Sequence, residues 1–379
     1  MSVSHASTNS RRAVNAATIA AKLISPRRVL QVITPSHMSG AETQLCRLTR
    51  QMRARGHEMR VLVKHDSPAL AEMQSRLPNV EPARIGGKAN VFAVPALLRA
   101  AKRHGAQLLQ SNLSTASWWC GWAESLGGPK SIGHVHGFTS ARWHRRQSHL
   151  LAVSGAVRDD LIAQGIPGDR ITVLHNALSP EEFRPVRDPL AVRYEFGADA
   201  NTPVVGTFAH LSEKKGYREL FGAMPRILKA APTTQFWIMG TGSLRDELEA
   251  TARAGGFLHQ VRFAGFRRDS ADVMNAIDVL ALPSRREPCA LVYVEAALSA
   301  KPIVACRAGG APESVADGET GVLVPVNDSP AIAEAVLGLL ENRDFARHMG
   351  EAGRDRALEI FSWSKFIATL EGVYDKVLS

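Results

Sequence analysis

Two α/β domains, each built on a parallel sheet and facing each other across a cleft, are the fold this sequence predicts. Three observations predict it. Short apolar runs without polar alternation, such as RVLQVIT at residues 28–34 and VVGTFA at 204–209, suit strands buried on both faces. These runs alternate with helix-spaced segments, which implies doubly wound parallel sheets with crossover helices. The chain has 379 residues, more than one core usually serves, so two domains are expected.

In chain order, RVLQVIT leads through the loop PSHMSGAE into a segment with Leu45, Leu48 and Met52 at helical spacing, which Gly56 stops. MRVLV at 59–63 resumes as a strand and completes a right-handed βαβ unit. QLLQS, SIGHVH, LLAVS and ITVLHN continue the strands, with helical stretches such as Ala156–Gln164 between several of them. The Pro-rich, charged stretch ALSPEEFRPVRDP at 177–189 marks the domain boundary. The pattern restarts at VVGTFA and runs through QFWIMG, VRFAGF, VLALPS, PIVACR and VLVPV.

Bulk composition removes several function classes. With 45% hydrophobic and 22% charged residues the chain is an ordinary globular protein. Cys46, Cys120, Cys289 and Cys306 are widely spaced with no CxxC pattern, which argues against a disulfide framework or a structural zinc and fits a reducing cytoplasm. The net charge of +10 suggests attraction to phosphate in nucleic acid, anionic lipid or a substrate. No nucleic-acid motif appears, so nucleic acid ranks last. The first 28 residues lack Asp and Glu and make a poor signal peptide. A disordered tail or misassigned start is expected over residues 1–27, with an amphipathic membrane-surface helix as the alternative. No uncharged run is long enough to span a bilayer.

Candidate chemistry clusters at strand ends, where ligands of such sheets bind. Gly40 sits where a helix N-terminus opens toward an anion, although a glycine in a βα turn is more often only a turn. Lys214 and Lys215 follow the first strand of the second half and suit a phosphate, unless they are a solvated pair. IMGTGS, containing Gly240, lacks the third glycine and the ribose acid of a dinucleotide fingerprint, so a nicotinamide enzyme is not supported. His136 follows a strand and faces the same cleft. RAGGAPESV is loop architecture that Glu313 ties to its neighbours. SRREPCALVYVEAA sets Glu287 and Glu295 two helical turns apart, facing a common pocket or solvent.

The ordered set resembles the retaining glycosyltransferases of family 4, also called group 1, which have the GT-B fold. SGAETQLCRLTRQMRARGHEMRVLV is similar to the family's first βα unit, and LLAVSGAVRDDLIAQGIPGDRITVLHNALSPEEF, with Asn176, to the end of its acceptor domain. WIMGTGSLRDELEATARAGGFLHQVRFAGFRRDSADVMNAIDVLALPS is similar to the middle of the donor domain. EPCALVYVE matches the Glu-x7-Glu signature, and FSWSKFIATLEGVYDKVL resembles the terminal helix that crosses back to the first domain. The resemblance implies an acceptor-binding domain over 28–185, a nucleotide-sugar-binding domain over 190–355 and a returning helix over 356–379.

The same resemblance assigns roles. Glu287 contacts the donor sugar's hydroxyls, and Glu295 accepts hydrogen bonds from the ribose. Cys289, Ala290 and Leu291 begin a helix whose amides cradle diphosphate or sugar. Lys215 neutralises the leaving diphosphate, Gly40 lets the first domain approach it, and Gly240 belongs to the donor-binding set. His136 lies near the anomeric centre, so His136, Glu287 and Lys215 form the catalytic set. The implied reaction moves a hexose from a UDP- or GDP-sugar co-substrate, by a front-face route without metal or other cofactor, to a glycan or lipid-linked acceptor. Relatives of this organisation build lipopolysaccharide, capsule or exopolysaccharide, which implies a cytoplasmic enzyme at the inner face of the plasma membrane.

Departures from the family pattern are His210 where an arginine is usual, Pro-Cys-Ala after Glu287 where Gly-Phe-Gly is common, and Thr241 in place of an aspartate. A neutral histidine offers no guanidinium fork, and Pro288 removes an N–H. In ARWHRRQSH, Arg142, Trp143, Arg145 and Arg146 form either an acceptor-side patch for an anionic membrane lipid or phosphorylated glycan, or a solvated helix. Trp118, Trp119 and Trp122 are expected in the domain core or along its cleft. Two other functions stand as alternatives: a nucleotide-sugar epimerase, and a catalytically weak nucleotide-sugar-binding partner subunit.

Overall fold

The computed structural model describes residues 25–379, so the tail expected at 1–27 lies outside the described residues except for its last three. The first sheet contains β1 (Arg28–Ile33), β2 (Glu58–Lys64), β3 (Val80–Ala83), β4 (Leu108–Asn112), β5 (Lys130–Val135), β6 (His149–Ala152) and β7 (Ile171–Val173), in the order β3-β2-β1-β4-β5-β6-β7. The second contains β8 (Val204–Phe208), β9 (Gln235–Met239), β10 (Val261–Gly265), β11 (Val279–Leu282), β12 (Ile303–Cys306) and β13 (Gly321–Val324), in the order β10-β9-β8-β11-β12-β13. Neighbouring strands pair in parallel throughout both sheets. This is the GT-B architecture.

The strand order reverses direction between β1 and β4 and again between β8 and β11. At each reversal the neighbouring loops diverge and leave a crevice beyond the carboxyl ends of the strands. Gly40 opens the helix Gly40–Ala54 that follows β1, and His210 and Lys215 follow β8. One strand, β3, has no counterpart among the sequence expectations. Its VEPA sequence contains Pro82, which has no amide proton, and the sheet accepts it because β3 is an edge strand.

The C-terminal helix Trp363–Leu378 returns to the first domain. Phe366, Ile367, Leu370, Val373 and Tyr374 pack into one buried cluster with Val29, Met52, Leu108, Ile132 and Leu151. Polar contacts fix its register. Glu371 meets His57 Nε2 at 3.0 Å, Asp375 pairs with Arg27 at 2.7 Å, and Lys376 Nζ donates to the Asp169 carbonyl at 2.9 Å. The helix thus completes a core whose other members, Val29 to Leu151, come from the first half of the chain. Among the described residues no helix is long and apolar enough to cross a membrane.

Because Leu370 is fully buried at the centre of this contact, truncation leaves a cavity that the rigid sheet cannot fill. Leu370→Ala is expected to lower unfolding free energy by about 2–5 kcal/mol, measured by urea denaturation at constant m-value.

Candidate active site in the interdomain cleft

The cleft begins with the first helix of the first domain. Ser39 precedes that helix, and Glu42 reaches back to accept from the Ser39 amide at 2.9 Å, which closes a capping box. The Gly40 and Ala41 positions are thereby fixed at the wall of a cleft of about 550 Å³. A Cβ at Gly40 would lie 3.6 Å from Leu291 in the other domain, an ordinary contact, so the two domains approach each other at this helix N-terminus. Leu113 lines the same wall with φ of +71°, a strained value for a non-glycine residue.

His136, directly after β5, also lines the cleft. Asn112 donates its amide to Gln31 Oε1 at 2.9 Å, which leaves Asn112 Oδ1 to accept from His136 Nε2 at 3.0 Å. This arrangement places the proton on Nε2 and leaves Nδ1 as an acceptor. Burial lowers the His136 pKa to about 4, so the ring is neutral near pH 7. His134 stacks on it with centroids 4.1 Å apart.

Lys215 and Glu287 are 72 positions apart in sequence and meet at 2.7 Å, Nζ to Oε2. Both are well covered, with side chains 18% and 4% exposed. Their loops are held by backbone proximity. Gly216 has φ of +72°, and a Cβ there would lie 1.9 Å from the Pro283 carbonyl oxygen. The Arg285 amide donates to the Lys214 carbonyl at 2.9 Å. From the other side, the Gly310 amide donates to the Glu287 carbonyl at 2.7 Å, and a Cβ on Gly309 would sit 2.1 Å from that same oxygen. Only glycine fits at these positions.

The helix Leu291–Leu298 starts just past Glu287, with Ala290 as its N-cap. Cys289 and Leu291 line the cleft. Burial pushes the Cys289 thiol up to about 12, and Asn176 Nδ2 of the first domain donates to its sulfur at 3.6 Å. Cys289 is therefore a protonated packing group and no nucleophile. Pro288 lies against Gly137, where an added Cβ would meet its ring at 3.6 Å, so the Pro-Cys-Ala loop is a contact between domains. Glu295, in the second turn of the helix, is partly covered. Burial raises its pKa to about 7, with the charge of Arg47 opposing and that of Glu182 adding.

The remaining expected residues are placed differently. Gly240 has φ of +133°, and a Cβ there would be 2.0 Å from the Ala209 carbonyl oxygen, so its glycine is required by loop packing. His210 is exposed at the end of β8. The acceptor-side segment is a short 3-10 turn, Ala141–Trp143, where a solvated helix was the alternative. Arg142 stacks on Trp143 at 3.8 Å, Arg146 stacks on Trp122 at 3.7 Å, and Arg145 donates to the Gln164 carbonyl at 2.8 Å. His144, between them, is the member of this segment that lines the cleft. Trp119 is buried, and Trp118 and Trp122 pack against the same core.

Sequence reasoning missed Asn112, His144 and the capping pair Ser39 and Glu42, of which only the S-x-x-E spacing was a visible signal. A larger concavity, about 820 Å³, runs along the outer edge strand β10. Arg267 pairs there with Glu195 at 2.8 Å, Arg245 and Arg253 pair with Glu249 at 3.4 and 3.3 Å, Arg262 donates to the Phe196 carbonyl at 3.2 Å, and the concavity lies away from both strand-order reversals.

Comparison with known proteins agrees with this fold. Residues 38–182 match the family described as Glycosyltransferase Family 4, and residues 202–342 match Glycosyl transferases group 1. Alpha-maltose-1-phosphate synthase of Mycolicibacterium smegmatis is 32% identical over 290 residues, covering 67% of this chain and 69% of that protein. The lipopolysaccharide core biosynthesis glycosyltransferase LpsE of Rhizobium meliloti is 29% identical over 170 residues, which is 45% of this chain and 49% of that protein. Among solved structures, Anabaena Alr3699/HepE in complex with UDP shares the fold at a TM-score of 0.84 and 23% identity, covering 92% of this chain and 100% of that one. The chain belongs to the group 1, family 4 glycosyltransferases.

Proposed function

We propose that this glycosyltransferase is a retaining, metal-independent hexosyltransferase that transfers a hexose from a nucleotide-diphosphate sugar to a cell-surface glycan or glycolipid. The observation that carries the reading is the covered Lys215–Glu287 pair, with Glu287 four residues in sequence before the helix Leu291–Leu298, whose first residue Leu291 lines the cleft together with neutral His136. Lys215 and the helix amides are positive groups placed where a departing diphosphate gathers charge. Glu287 is a fixed acceptor for the sugar's hydroxyls, and the lone pair of His136 Nδ1 is available to accept from a hydroxyl.

In this mechanism the bond between the anomeric carbon and the diphosphate oxygen breaks as the acceptor oxygen bonds to the same face of that carbon. The departing diphosphate takes the acceptor's proton. The protein contributes orientation, charge stabilisation and exclusion of water, and no carboxylate forms a covalent bond. UDP bound to the fold relative from Anabaena supports a nucleotide donor, and the lipopolysaccharide core relative supports a cell-envelope acceptor. The enzyme acts at the inner face of the plasma membrane in this reading, where its net charge of +10 favours anionic lipid.

Calorimetric titration of UDP, GDP and ADP tests the donor site. Glu295→Ala is expected to weaken the preferred nucleotide about tenfold or more, as loss of a charge-assisted hydrogen bond to ribose would. Glu287→Ala is expected to bind it nearly as wild type does while losing turnover of the nucleotide sugar. Equal loss of binding in the two variants contradicts the assigned roles.

The raised pKa of Glu295 adds a pH dependence. Its ionised form is the better acceptor for ribose hydroxyls, and with a pKa of about 7 that form is a minority at pH 6 and the majority at pH 8. Nucleotide affinity is therefore expected to rise from pH 6 to 8 by more than the nucleotide's own titration provides. That extra rise should be absent in Glu295→Gln.

A further inference from the structure

We infer that Gln31 is a positioning residue for His136. Acting through Asn112, it decides which ring nitrogen of His136 carries the proton and which is left for a substrate hydroxyl. The inference deepens the transferase reading above and rests on it only for the task that His136 performs.

The three side chains come from three neighbouring strands. Gln31 lies on β1, Asn112 ends β4, and His136 directly follows β5. In register, Gln31 pairs with Gln110 and Asn112 pairs with His134. Register partners and alternate residues of a strand share one face, so Gln31, Gln110, Asn112 and His134 form a polar row across the sheet. Gln31, Gln110 and Asn112 are 0% exposed and His134 is 1% exposed. Bulk water is not an alternative partner there, so the direction of each amide is set inside the protein.

Two hydrogen bonds run in series to the cleft. Asn112 Nδ2 donates to Gln31 Oε1 at 2.9 Å, and His136 Nε2 donates to Asn112 Oδ1 at 3.0 Å. A primary amide has a donor end and an acceptor end, so such a series has two self-consistent polarities. With the Gln31 oxygen toward Asn112, the Asn112 oxygen faces the ring and Nε2 bears the proton. With the Gln31 nitrogen there, the Asn112 nitrogen would face the ring and the proton would sit on Nδ1. The orientation of one glutamine is thereby transmitted to the cleft, which His136 lines.

The ring has no other tie that fixes its tautomer. Among the described residues its hydrogen bond to Asn112 is the one it makes, and His134 stacks on it without a hydrogen bond at either nitrogen. Burial alone lowers its pKa. The other ionisable side chains lining the cleft are His37, Glu42, His144 and Cys289. His37 meets Ser36, Glu42 is spent on Ser39, and His144 and the Cys289 thiol are uncharged near neutral pH. The consequence for a substrate is a choice of sense: a bare Nδ1 accepts from a hydroxyl, whereas a protonated one donates to it.

The test labels the ring nitrogens of histidine with 15N in the full chain and reads their protonation from long-range proton–nitrogen correlation spectra. Comparison with His136→Gln identifies the His136 signals among the 13 histidines. In the wild type at neutral pH, Nε2 is expected protonated and Nδ1 bare. Gln31→Leu leaves the Asn112 amide free to turn, and the share protonated on Nδ1 should rise severalfold. Asn112→Asp sets a carboxylate, which has no donor end, against Nε2–H, so the ring pKa should rise from about 4 by about one unit or more. Adding Gln31→Leu to Asn112→Asp should then change nothing, because the amide through which Gln31 acts is gone. The remaining histidine signals verify the fold of each variant, and the wild-type and Asn112→Asp spectra decide the matter if Gln31→Leu does not fold. A wild-type ring protonated on Nδ1, an unchanged tautomer in Gln31→Leu, an unmoved pKa in Asn112→Asp, or a further change in the double variant overturns the inference. No sugar is present in these spectra, so their failure is separate from failure of the transferase reading, which the nucleotide titrations test.

Discussion

Glu313 is the residue on which the arrangement of the two domains depends. It belongs to the second domain, yet its carboxylate accepts from the amides of Gly155 at 2.7 Å and Ala156 at 3.0 Å, at the start of a helix in the first domain. His175 Nε2 joins the same oxygen as Gly155 at 2.7 Å. Burial tends to raise the Glu313 pKa, but the hydrogen bonds from His175, Gly155 and Ala156 overcome it and hold the carboxyl below its ordinary value. A negative charge at a helix N-terminus satisfies amides that would otherwise lack partners. The contact fixes which ends of the two sheets face each other, and a transferase site shared between domains requires that alignment.

A second constraint acts within the second domain. The loops that carry Lys215 and Glu287 approach so closely that glycine is required at 216, 309 and 310, and the loop after β9 requires it at 240 and 242. These glycines do not touch a ligand in this account. They allow backbone to lie against backbone, so that a lysine and a glutamate distant in sequence meet with little freedom. Such stiffness is how a site made of loops holds charged groups in place before a substrate arrives.

Much of the fold was legible because its strands are buried on both faces and declare themselves as unbroken apolar runs, as β1 and β8 do. The exception, β3, is short and contains Pro82, features that an edge strand tolerates and that hide it from a pattern search. The site was legible in a different way. Position at strand ends follows from the α/β pattern, and the resemblance put Lys215 and Glu287 in one site, but their pairing depends on β8 and β11 being neighbours and shows only in the folded chain. Glu313 was recognisable as a tie, although its partners lie in the other domain and are 157 and 158 residues away. Asn112 gave no signal: it is an ordinary residue in sequence, and it matters because the folded chain sets it between Gln31 and His136.

The central claim is that one nucleotide-sugar site is built jointly by both domains. Hydrogen–deuterium exchange with and without saturating UDP tests it most directly. The account predicts that UDP slows exchange together in three segments, residues 36–42 of the first domain and residues 213–216 and 287–295 of the second. Slowing confined to one domain, or found instead along β10 and the paired arginines beside it, would contradict the account.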